Sequence, residues 1–139
     1  MYNPLSPKGF LRVGGMVLIL LGFLSYLPST NDPRAGILGF AWWFSSGEGV
    51  AHILLGVVAI LSSYVLPDNL LGPLVLVIGA LAALFGLLGG IVFSGPAGAN
   101  LYGLANLEPP LDNILHLAIA AWAFYAALAR KAASRSKIS

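Results

Sequence analysis

The chain has 139 residues, of which 58% are hydrophobic and only 9% charged, with a formal net charge of +2 and no cysteine. A soluble domain is nearer half apolar and a quarter charged, so these residues cannot furnish a water-facing surface, and disorder, which needs low hydrophobicity and high net charge, is excluded as well. Disulfide frameworks, thiolate metal sites and cysteine nucleophiles are absent with the cysteines, and so small and dispersed a positive charge makes no nucleic-acid face.

Four apolar stretches follow one another, at about residues 10–28, 47–66, 70–93 and 112–130. Each is long enough to cross a hydrocarbon core of about 30 Å at about 1.5 Å per residue. The runs are continuous rather than alternating, which argues for helices over membrane strands. The expected fold is all-α: an integral membrane four-helix bundle, in a single domain over 1–139.

Lys8 and Arg12 lead into the first stretch as the basic end of a signal peptide would. The run passes into Pro28-Ser29-Thr30-Asn31-Asp32-Pro33 without an Ala-x-Ala cleavage site, so it reads as a retained helix. The connection that follows, about Pro28–Ser46, carries Trp42 and Trp43, whose amphipathic rings suit the headgroup layer. Ser45-Ser46-Gly47-Glu48 has the form of a capping box and opens the second helix. Pro67-Asp68-Asn69 reads as the short connection to the third helix. The connection of about Ser94–Leu111 holds the apolar segment Asn100–Leu107 with Tyr102, and Pro109-Pro110 marks the start of the fourth helix.

Six of the seven basic residues, all but Arg34, lie near the two termini. An even number of spans lets the termini share one face, and the basic bias makes that face cytoplasmic.

Shifted by 64 residues, the chain matches itself. Gly39 falls on Gly103, Ala41 on Ala105, Glu48 on Asp112 and Val50 on Ile114. The only two histidines, His52 and His116, coincide, as do Gly15 with Gly79 and Gly22 with Gly86. Each half is helix, connection, helix, so the halves are expected to be parallel repeats about an axis along the membrane normal. Gly14, Leu18 and Gly22, and again Ala82, Gly86 and Gly90, form small-residue rows. They predict that the first and third helices cross near Gly22 and Gly86.

The chemistry-bearing constellation is Glu48-x-x-x-His52 and Asp112-x-x-x-His116. Positions four apart share a helix face, and ionisable groups at membrane depth turn toward protein or water. Acids in a first turn also complement the helix dipole, and each imidazole can then bond its carboxylate or a facing loop carbonyl. Three other readings stay open. His52 and His116 suit ligation of haem or chlorophyll-type pigments, with Gly56 and Ala120 one turn on leaving room for a flat ring. Glu48, His52, Asp112 and His116 suit a divalent metal such as zinc, iron or manganese. A proton or ion path would need further ionisable groups deeper in the spans. No nucleophile elbow, phosphate loop or dinucleotide fingerprint is present.

Asp112-Asn113-Ile114-Leu115-His116 ahead of an apolar helix resembles the closing motif of the bacterial domain-of-unknown-function family 4383, small four-helix membrane proteins. The resemblance implies that architecture over nearly the whole chain, with a histidine-bearing second helix. The chain departs from the family where the second helix often has His-Asn-x-x-His: Glu48-Gly49-Val50-Ala51-His52 replaces the first histidine by Glu48. The resemblance brings no activity. With no deep polar path, no nucleophile and few polar groups to orient a substrate, the expected role is non-catalytic, an accessory or scaffolding subunit whose partners are the bilayer and other membrane proteins. The alternative is a cofactor-binding membrane protein using His52 and His116.

Overall fold

The structure, a computed structural model, describes residues 3–27, 45–92, 99–100, 106–107 and 110–135. Among these residues it is all-α, with four helices: α1 (Pro7–Leu24), α2 (Ser46–Val65), α3 (Asp68–Val92) and α4 (Leu111–Arg135). Between α3 and α4 two short strands, β1 (Ala99–Asn100) and β2 (Asn106–Leu107), pair antiparallel with Ala99 opposite Leu107. The stretches containing Trp42, Trp43 and Tyr102 lie outside the described residues.

Local chemistry sets the helix ends. Ser6 caps α1, its Oγ accepting the Gly9 N–H at 3.1 Å, and Pro7 occupies the first helical position, where no donor is lost. The helix therefore begins three residues before the apolar run does, because a cap is a polar signal that hydropathy does not register. Between α2 and α3 only Leu66 and Pro67 intervene. Leu66 turns to extended backbone, and Pro67, which has no N–H, cannot continue α2. Asp68 and Asn69, expected in the connection, instead form the first turn of α3, where Asp68 complements the helix dipole. α4 runs to Arg135, beyond the apolar stretch that ends near residue 130.

Sequential helices pair. α1 packs along α2 and α3 along α4, although the two-residue connection joins α2 to α3, while α1 meets α3 and α4 much less extensively. The expected crossing of the first and third helices at Gly22 and Gly86 is therefore not formed. Gly22 lies against α2: a Cβ there would stand 2.6 Å from the Gly49 carbonyl oxygen and 2.5 Å from Ile53. Gly86 lies against α4, where a Cβ would meet Leu117 at 2.8 Å and the Asn113 carbonyl oxygen at 3.1 Å. Gly14, part of the expected row, faces open space, and the contact passes to its neighbour Gly15, opposite Gly56. The working spacing is seven residues, Gly15 and Gly22 against Gly56 and Gly49. That interval returns to one face of two helices inclined at a small angle.

The buried core sits toward the end that carries the start of α1 and the α2–α3 turn. It comprises Phe10, Leu11, Leu71, Val75, Ala123, Ala126 and Ala127. Alanines on α4 let α1 and α3 approach it. Trp122 closes this end twice: its ring meets Phe10 edge-on at 4.7 Å, and its Nε1–H donates to the Pro4 carbonyl at 3.1 Å. The segment before α1 is thereby tied to the last helix.

Candidate functional site

The paired acid–histidine sets lie in the first two turns of α2 and α4, at the opposite end from that core. In α2 the capping box forms as its residues predict. Ser45 Oγ accepts the Glu48 N–H at 3.2 Å, and Glu48 Oε2 accepts the Ser45 N–H at 3.3 Å. Glu48 is thereby held at the helix start and buried, at 6% exposure, and Asp112 at the start of α4 is buried to the same 6%.

The histidines adopt one geometry. His52 Nδ1 lies 2.8 Å from the Glu48 carbonyl oxygen, and His116 Nδ1 lies 2.7 Å from the Asp112 carbonyl oxygen. The Nδ1 partner is thus the backbone of the acidic residue rather than its carboxylate. Helical side chains lean toward the N-terminus, which carries the near ring nitrogen onto the carbonyl four residues back. A carbonyl only accepts, so Nδ1 carries the hydrogen in both rings, and in the neutral imidazole Nε2 presents a lone pair. His52 also lies within electrostatic range of His116 and Asp112. The fold thus brings residues from both helices toward one end of the bundle. The His116 ring also rests near Phe85 of α3, with 5.7 Å between centroids.

The cofactor geometries expected from sequence fare unequally. Among the described residues, no group of three or more His, Asp or Glu is placed to hold a metal ion. The room anticipated beside Gly56 is filled by α1: a Cβ there would stand 2.5 Å from the Gly15 carbonyl oxygen and 2.7 Å from Ile19. Ala120 is likewise buried. One polar atom in this region has no hydrogen-bond partner among the described residues, the buried Oδ1 of Asn113.

A second polar cluster escaped the sequence reading. Arg12 of α1 donates from Nε to Ser63 Oγ at 3.1 Å, and its guanidinium carbon lies 4.1 Å over the Tyr64 ring. Ser63 passes its own hydroxyl hydrogen to the Ile60 carbonyl at 2.7 Å. The signal was present, a charged residue within an apolar span.

No family model, curated protein or solved structure matches the chain.

Proposed function

We propose that the chain is a multi-pass membrane protein of four spans, built as two parallel hairpin repeats, with both termini cytoplasmic and a non-catalytic role as an accessory or scaffolding subunit. The observation that carries this reading is the outward apolar surface. Each helix is long and apolar enough to cross a membrane, yet only 22–33% of each span is buried inside the bundle. Leu20, Phe23, Leu54, Leu55, Leu61, Leu87 and Ile114, among others, face outward. Water does not tolerate so much apolar surface, whereas lipid tails and neighbouring helices do.

Matching geometry supports the repeat. Residues 64 apart make the same Nδ1–carbonyl bond, and Gly22 meets residue 49 as Gly86 meets residue 113. Membership of family 4383 is part of the proposal and rests on Asp112–His116 and the four-helix pattern.

Cell fractionation with alkaline carbonate and cysteine labelling in sealed vesicles test insertion and orientation. The chain is expected in the carbonate-resistant pellet, with a cysteine at position 137 labelled only after permeabilisation. Labelling from the outer side reverses the topology. Blue-native electrophoresis after mild extraction is expected to show the 14.5 kDa chain within a larger assembly. Migration as a lone monomer at native expression removes the scaffolding role.

A second reading draws on the shared tautomer. A ligating histidine commonly donates its other ring N–H to a backbone carbonyl, as both imidazoles do here. On that reading His52 and His116 ligate a haem, a chlorophyll-type pigment or a metal. The purified chain is expected to be colourless and metal-free. A Soret band or a stoichiometric metal, lost in His116→Ala, establishes the second reading instead.

A further inference from the structure

The face of α1 that holds the two hairpins together stops abruptly. Phe10 and Leu11 turn it toward the other hairpin, where both are buried among Leu71, Val75 and the α4 alanines. Gly14 continues that face one turn farther on, four residues after Phe10 and three after Leu11. Yet a Cβ at Gly14 would have nothing within 4 Å. Beyond Leu11 the hairpins therefore part, and among the described residues α2 barely approaches α3 or α4. The cleft between them opens toward the end that carries the histidines. Leu18 and Leu21 extend the same face of α1 and are half-buried, as are Phe85 of α3 and His116 of α4.

We propose that this cleft binds a lipid alcohol, a long apolar body ending in a hydroxyl group, whose hydroxyl donates a hydrogen bond to His116 Nε2. The proposal rests on the membrane reading above.

The ring sets the chemistry of the ligand. His116 spends its Nδ1–H on the Asp112 carbonyl at 2.7 Å, so the neutral imidazole offers Nε2 only as an acceptor. Nε2 has no hydrogen-bond partner among the described residues, and it is reachable rather than sealed: the buried side-chain atom left without a partner is Asn113 Oδ1. His52, the counterpart in the first hairpin, is engaged beyond its own Nδ1 bond, which leaves His116 as the acceptor. An acceptor at bilayer depth calls for a donor. A metal ion needs more ligands than are gathered here. A lone water fits poorly, because a buried water ordinarily makes about three hydrogen bonds. The neighbour on record for the ring is Phe85, with 5.7 Å between centroids, which offers none. A hydroxyl on an apolar chain answers the lone pair and the apolar walls together.

With only two histidines in the chain, their ring nitrogens are readily followed by nitrogen NMR. The full chain, carrying isotope-labelled histidine in detergent, is titrated with farnesol and with its methyl ether, which has the same apolar chain but no donor. Farnesol is expected to shift the His116 Nε2 resonance saturably and to bind about tenfold more tightly than the ether, the scale of one hydrogen bond. His116→Phe keeps an aromatic ring without the acceptor and is expected to bring the two affinities together. Gly14→Leu places a side chain in the open space of the cleft and is expected to weaken farnesol binding by about tenfold, with the free chain still folded. Equal affinity for alcohol and ether in the wild type overturns the proposal, and that comparison needs no variant. So does an unchanged farnesol affinity in Gly14→Leu, or a shift confined to His52. A chain that carbonate extracts from membranes defeats the membrane reading itself; a chain that inserts but does not distinguish alcohol from ether defeats the cleft alone.

Discussion

In the first hairpin glycine meets glycine; in the second, glycine meets larger side chains. Gly15 and Gly22 of α1 face the backbone of Gly56 and Gly49, so two main chains touch with almost nothing between them. At the matching places of α3, Gly79 faces Ala123 and Phe124, and Gly86 faces Leu117 and the Asn113 carbonyl. One register is thus closed in two ways. Backbone against backbone has no rotamer to give, whereas Leu117 and Phe124 can turn aside. The same spacing therefore marks a rigid seam in one half and an adjustable one in the other.

The contrast is broken or sharpened first by overpacking. Gly56→Leu is expected to cost about 3 kcal/mol or more, the top of the usual range, because the Gly15 carbonyl cannot move without shifting α1. Gly86→Leu, where the leading obstacle is the Leu117 side chain, is expected to cost nearer 1 kcal/mol, and Gly14→Leu close to nothing. Thermal unfolding in detergent ranks the three. Equal losses at Gly56 and Gly86 would erase the distinction between the seams.

Capping comes next. Ser45→Ala removes the box that opens α2 and should cost about 1 kcal/mol, while Glu48→Gln, still able to accept the Ser45 N–H, should cost less. Pro109 stands at the matching place before α4, with no hydroxyl to remove. The same unfolding assay separates the variants, and a larger loss for Glu48→Gln would give the carboxylate charge a role beyond capping.

The histidines should behave alike despite the unlike seams. His52→Ala and His116→Ala each forfeit one bond to a carbonyl and are expected to cost about 1 kcal/mol apiece. A difference of several kcal/mol between them, read by the same melts, would mean that the rings' other contacts, such as that of His116 with Phe85, outweigh this bond. The smallest effect is expected at Asn113, where the first hairpin has Gly49. Asn113→Ala removes a buried oxygen without a described partner and should raise stability by under about 1 kcal/mol. A clear loss would reveal that Oδ1 is engaged.

The four helices and the capping box were legible in the sequence because each has a strong one-dimensional signature: a long apolar run, or Ser45 three residues before Glu48. The equivalence of His52 and His116 was legible from a single shift. Helix pairing was not. Gly14-x-x-x-Leu18-x-x-x-Gly22 and the true contact row of Gly15 and Gly22 overlap on neighbouring faces, and apolar residues surround both, so the pattern does not say which face meets protein. The Nδ1–carbonyl bond was hidden for a different reason. Spacing places His52 beside residue 48, but only side-chain direction decides between carboxylate and backbone.

The tie between Trp122 and Pro4 also bears on the order in which the molecule is made. The first hairpin has all its seam residues once Val65 has left the ribosome, and the turn at Leu66 and Pro67 can then hand over to the second. Phe10 and Leu11, however, find their α4 neighbours Ala123, Ala126 and Ala127 only when the last helix arrives, and the Pro4 carbonyl waits for the same event. On the proposed membrane reading, each hairpin closes its own seam and the amino-terminal segment is a latch set by the final span. A chain truncated before Trp122 keeps the seam residues of the first hairpin but loses both the Trp122 donor to Pro4 and the α4 alanines that cover Phe10 and Leu11.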